Sequence, residues 1–84
     1  MSSSLHRNQY QVFRELLVSE REKSGMLQIQ VAEKLGKPQS FVSKYERGER
    51  RLDFTEFVEI AGILNIPIDE FVAKYLEKLN RKIS

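Results

Sequence analysis

The chain contains no cysteine, so neither a disulfide framework nor a thiolate zinc site is open to it, and a small secreted scaffold is not expected. Histidine occurs once, at His6, which excludes a His-based catalytic triad and a His-rich metal site. No uninterrupted apolar stretch approaches the roughly 20 residues needed to span a bilayer. Residues 1–7 lack the apolar region of a secretory signal. There is no Gly-rich phosphate loop, no sustained period-two alternation, and no internal repeat. Glu20 and Glu22 fall on different faces of a helix and read as solvated charge. With 84 residues there is room for one domain, near the lower limit for an unaided core, and too little for a sizeable substrate pocket beside it. The expectation is a cytoplasmic, non-enzymatic domain without a metal, cofactor or small-molecule substrate.

Charge is scarce in net terms and uneven in distribution. The whole chain carries only +2. Residues 1–33 are neutral, residues 52–84 carry −2, and residues 34–51 carry +4 through Lys34, Lys37, Lys44, Arg47, Arg50 and Arg51 against Glu46 and Glu49. An excess confined to the middle of the chain is a candidate electrostatic footprint for a polyanion.

Apolar spacing divides the chain into five helices. Val12, Phe13, Leu16 and Leu17 recur at helical spacing between Tyr10 and a stop at Ser24-Gly25. Leu27, Val31, Ala32 and Leu35 mark a second helix, closed by Gly36. A third runs from Gln39 to Arg47 after the break at Lys37-Pro38, burying Val42 and Tyr45 and ending at Gly48. Asp53-Phe54-Thr55-Glu56 has the form of a capping box and opens a fourth, closed by Asn65-Ile66-Pro67. Pro67 or Ile68 starts a fifth, with Phe71, Val72, Tyr75, Leu76, Leu79 and Ile83. The expected fold is all-α: a leader over 1–8, one domain over 9–79, and a tail over 80–84.

The second and third helices form a helix-turn-helix pattern over about 28–47. Two helices that cross closely want a small residue on the inner face of the first, and Ala32 is there. The turn wants a left-handed residue four positions later, which Gly36 supplies. Val42 and Tyr45 give the third helix its inner face, and Gln39, Ser40, Ser43 and Lys44 share one face of the same helix. Phe41 falls at the edge, packed or reaching a thymine methyl.

With these residues in one register, the segment GMLQIQVAEKLGKPQSFVSKYERGERRLD resembles the Cro/lambda-repressor-like (xenobiotic-response-element, XRE type) regulators. The similarity runs from about Phe13 to Phe71. It implies a five-helix lambda-repressor-like domain that binds double-stranded DNA, with Gln39, Ser40, Ser43 and Lys44 reading base edges in the major groove. It further implies that Gln28, at the start of the second helix, bonds a phosphate. Lys37, Arg47, Arg50 and Arg51 would hold the flanking backbone. Arg21 and Glu46 would form a structural ion pair between the first and third helices. Three positions depart from the family's habit: Leu27 stands where a capping Thr or Ser is common, Lys37 where the turn is commonly apolar, and Pro38 where a capping Ser is common.

The last two helices hold more apolar residues than one small core needs. Phe54, Phe57, Val58, Ala61 and Leu64 are expected to form the core stripe of the fourth. Ile60 and Ile63, with Phe71, Tyr75, Leu76 and Leu79, are then expected to form a homodimer interface. The function implied is a transcriptional regulator, most simply a repressor, bound as a two-fold dimer to a pseudo-palindromic operator. An antitoxin or a restriction-modification controller protein using the same fold with a protein partner is the alternative.

Overall fold

A computed structural model describes the backbone of residues 2–83 and the side chains of residues 9–80. Among the described residues five helices and no strand occur: α1 (Ser2–Ser24), α2 (Gln28–Leu35), α3 (Gln39–Arg47), α4 (Phe54–Leu64) and α5 (Ile68–Ile83). The bounds of α2, α3 and α4 are those that the caps and turns dictate. Helix α1 begins eight residues before Tyr10, so the expected 1–8 leader carries helical backbone from Ser2 onward, while Met1 lies outside the described residues. Likewise α5 continues through most of the expected 80–84 tail.

Helix ends are set by local chemistry. Gly36, at φ 69°, lets the Lys37 amide turn back to the Ala32 carbonyl at 3.0 Å. Gly48 ends α3 in the same way, with the Glu49 amide on the Lys44 carbonyl at 2.9 Å. At the start of α4 the capping box is complete: Asp53 accepts from the Glu56 amide at 2.8 Å, and Glu56 accepts from the Asp53 amide at 3.0 Å. Leu27 and Pro38 offer no side-chain cap to α2 and α3, as their chemistry requires. Half of a capping box survives at α2, because Gln30 Oε1 accepts from the Leu27 amide at 2.8 Å.

The core gathers one stripe from every helix: Leu16 and Leu17, Val31 and Ala32, Val42 and Tyr45, Phe57, Ile60, Ala61 and Leu64, and Phe71. Helix α1 packs against α3, α4 and α5, and α2 packs against α3 and α4. Fully buried Ala32 lies in α2, which packs directly on α3. Phe13, Phe57 and Phe71 meet as a ring cluster with centroids 4.9–5.9 Å apart, tying α1 to α4 and α5.

This packing corrects the expected apolar faces of α4 and α5. Ile60 is 0% exposed and Phe71 3%, so both belong to the protomer's own core and leave the expected interface set. Conversely Phe54 is 71% exposed and Val58 is exposed as well, so neither belongs to the core stripe expected of α4. The reason is position within the bundle. Helix α4 is covered from two directions, by α1 and by α2, so Phe57, Ile60, Ala61 and Leu64 all turn inward. Phe54 sits in the first turn, outside that cover. Ile63, Tyr75 and Leu79 are half-buried, and Leu76 is exposed beside Val72.

Candidate nucleic-acid interface

Helix α3 divides cleanly into two faces. Val42, Tyr45 and Glu46 point inward and are buried. Burial of Tyr45 pushes its phenol well above the ordinary value, which keeps it neutral in the core. Gln39, Ser40 and Lys44 are exposed and Ser43 half-buried, so the four expected base readers share the outer face. Ser43 Oγ donates to the Ser40 carbonyl at 3.3 Å within that face.

A polar strut holds this helix to α1. Arg21 grips Glu46 with two bonds, Nε to Oε2 at 2.6 Å and Nη2 to Oε1 at 3.2 Å, and donates its third contact to the Met26 carbonyl at 2.8 Å. Hydrogen bonding to Glu46 holds the Arg21 guanidinium above its ordinary value. Gln28 adds a donor to the same carboxylate, Nε2 to Oε1 at 2.8 Å, and its own Oε1 faces Gln39 Nε2 at 3.5 Å. The strut therefore runs from α1 through Glu46 to the first residue of α2 and the first residue of α3. Neither the Gln28–Glu46 bond nor the Arg14 Nη1 bond to the Glu46 carbonyl at 2.8 Å was expected from sequence. A hint existed for Arg14, which lies two helical turns before Arg21 on the same side of α1.

The basic residues around α3 are ordered by acidic and aromatic neighbours. Arg47 pairs with Glu49 at 2.8 and 3.1 Å. Arg50 pairs with Glu56 at 2.9 and 3.0 Å, and its guanidinium lies 4.7 Å from the centre of the Phe41 ring. The Lys37 ammonium lies 5.2 Å from the same ring. Arg51 lies 4.4 Å over the Tyr10 ring. The Tyr10 hydroxyl accepts from the Leu52 amide at 3.1 Å and donates to the Arg50 carbonyl at 3.4 Å, fixing the loop that carries both arginines. Lys37 thus borders the outer face of α3 from the turn before it, Arg47 from its last residue, and Arg50 and Arg51 from the loop after it. Among the described residues no cluster of His, Cys, Asp or Glu could hold a metal ion, and no helix is long and apolar enough to cross a membrane.

A polar helix face pinned by a buried ion pair and flanked by cations defines a helix-turn-helix DNA-binding module. The family model described as Helix-turn-helix matches residues 17–71. An XRE-family like protein from Pseudomonas syringae pv. tomato str. DC3000 superposes with a TM-score of 0.85 at 35% identity, over 92% of this chain and 94% of that one. No curated protein matches. The chain belongs to the XRE-type helix-turn-helix family and is a DNA-binding transcription regulator.

Proposed function

We propose that the chain is a cytoplasmic repressor that binds a pseudo-palindromic operator as a homodimer. Gln39, Ser40, Ser43 and Lys44 read base edges, while Gln28, Lys37, Arg47, Arg50 and Arg51 hold the phosphate backbone. The observation that supports this division is the geometry of α3: its polar residues, Lys44 among them, share the face opposite Val42 and Tyr45, Arg47 closes that face at the helix end, and Lys37, Arg50 and Arg51 lie in the segments on either side. Lys44 suits guanine O6 and N7, and Gln39 suits an adenine edge. Gln28 would meet phosphate through its backbone amide at the α2 N-terminus, since its side chain is engaged by Glu46. The partner copy would dock through Ile63, Tyr75, Leu76 and Leu79, with exposed Phe54 and Val72 lining a cleft beside Tyr75. Two recognition helices would then sit about 34 Å apart on successive major grooves.

Selection of bound duplexes from a random pool tests the division. Lys44→Ala should change preference at one position per half-site by about 1–3 kcal/mol. Arg47→Ala should weaken every sequence alike and lower the salt slope by about one. If both act alike across sequences, the assignment fails. Sedimentation that finds only the 9.9 kDa protomer at tens of micromolar would remove the dimer.

A further inference from the structure

We propose that Phe41 is a positioning residue that holds Lys37 and Arg50 for the DNA backbone; this rests on the assignment of those two cations to phosphate. Phe41 occupies the third position of α3, at the border between the buried and outer faces. Its ring is only half-buried and meets Tyr45 edge-on, with centroids 5.7 Å apart and planes at 74°. Core packing therefore uses one side of the residue. The rest of the ring serves as a platform: the Lys37 ammonium lies 5.2 Å from its centre and the Arg50 guanidinium 4.7 Å. Those cations come from opposite ends of the helix in sequence, one from the turn before it and one from the loop after it. Both of these cation–ring contacts fall on Phe41.

The arrangement solves a specific problem. A free Lys or Arg side chain loses substantial rotamer freedom when a phosphate immobilises it. An aromatic face that attracts the cation beforehand reduces that loss without supplying a competing anion. Arg50 is ordered further by Glu56 and by donation to the Arg51 carbonyl at 3.1 Å, which engages three of its five N–H donors and leaves two to meet a phosphate. A ring overlain by two cations is a poor partner for a thymine methyl, so Phe41 acts through Lys37 and Arg50 and not on a base.

The test compares binding of an operator duplex and a random-sequence duplex by the full chain, with melting curves on every variant. Phe41→Leu keeps an apolar side chain against Tyr45 but removes the π face, and Phe41→Met supplies the same comparison should the leucine variant melt early. Either should weaken both duplexes by a similar factor, about five- to tenfold, with base preferences unchanged. Phe41→Tyr should restore binding to within about twofold, because its ring face is equivalent. In a Lys37→Ala/Arg50→Ala background, Phe41→Leu should have no further effect. The proposal is overturned if Phe41→Leu alters preference at one base position, or if it costs as much in that background as in the parent. Should Lys37→Ala and Arg50→Ala themselves leave affinity unchanged, the phosphate assignment fails and takes the proposal with it. Should they weaken binding while Phe41→Leu does not, only the platform is refuted.

Discussion

Replacing Arg21 by Met removes both bonds that reach the Glu46 carboxylate from α1, while Arg14 keeps its bond to the Glu46 carbonyl. Glu46 is 8% exposed, and after the substitution its carboxylate keeps one side-chain donor, Gln28 Nε2 at 2.8 Å. The Met26 carbonyl loses its Arg21 donor as well. Breaking a buried pair by deleting one partner costs about 3–5 kcal/mol, because the remaining charge is left in a site built for two. The surviving Gln28 bond, and the 13% exposure of the Arg21 side chain, place this case at the lower end, about 3 kcal/mol. In a domain of this size each kcal/mol moves the thermal midpoint by about 4–8 °C, so Arg21→Met should melt about 12–24 °C lower at neutral pH. Circular dichroism melts measure it. A fall of less than about 3 °C would refute the reasoning, since it would mean that the pair adds almost nothing over one amide donor.

The double variant Arg21→Met/Glu46→Leu separates charge from packing. Removing both partners deletes the orphaned carboxylate, and apolar replacements of buried pairs are often neutral or better. Most of the lost midpoint should return. If the double variant is no more stable than the single one, the damage lies in the packing of α1 on α3. DNA binding follows different logic. Both variants remove the anchor of α3, and the double variant also frees Gln28, which faces Gln39. Affinity should therefore stay reduced in the double variant even where stability recovers.

Leu27 is 60% exposed and already has the extended backbone of an N-cap, at φ −83° and ψ 158°. Leu27→Thr should therefore supply the missing acceptor for α2 and raise the midpoint by about 4–8 °C, for a gain of about 1 kcal/mol; a lower midpoint refutes it. Gly48→Ala forces a side chain into a φ of 83° and puts its Cβ 3.1 Å from Arg14 Nε, whereas at Gly36 the same atom would meet open space. Both should destabilise by about 1–2 kcal/mol through backbone strain, with Gly48 the worse in urea titrations; equal losses would dismiss the Arg14 contact. Asp53 is held below the ordinary carboxylate range by the Glu56 amide and the Thr55 hydroxyl, and Glu56 by Arg50 and the Asp53 amide. The unfolded chain thus binds protons more readily, so this stability is present above the ordinary range and is lost as pH falls through about 4 and below. Asp53→Asn, which keeps an acceptor oxygen but cannot ionise, should flatten part of that acid limb, and an unchanged pH slope would count against it.

What the sequence made legible is what short-range chemistry decides. Gly36, Gly48 and the Asp53–Glu56 box act on backbone within a few residues, so the ends of α2, α3 and α4 follow from residue type alone. Periodicity likewise placed Gln39, Ser40 and Lys44 opposite Val42 and Tyr45. It could not say which side of α4 would be covered. Phe54, Phe57, Ile60, Ala61 and Leu64 are all compatible with one wide stripe, and the choice between burying Phe54 and burying Ile60 depends on where α1 and α2 stop. The start of α1 is not legible, because Ser2, Ser3 and Ser4 give no apolar period to read. At the candidate site, contacts that bridge distant parts of the chain were out of reach, above all Gln28 on Glu46 and Phe41 under Lys37 and Arg50.

The same distinction explains why a net charge of +2 was a poor guide to a DNA-binding chain. Part of the central positive excess is already paired: Arg47 with Glu49, Arg50 with Glu56. Glu46 is turned inward to Arg21, so its charge is spent on the scaffold and not on the outer face. Among the described residues Lys34, Lys37, Lys44 and Arg51 have no carboxylate within ion-pair distance, and Lys37 and Arg51 rest on aromatic rings. The exposed pairs are weak, about 0.2–1 kcal/mol each, because water screens them. A pair that weak orients an arginine yet yields when a phosphate offers a charge-assisted bond in its place. Local acidic partners thus lower the net charge without removing the cations from reach of a phosphate, and on the proposed reading the positive field is concentrated around the outer face of α3.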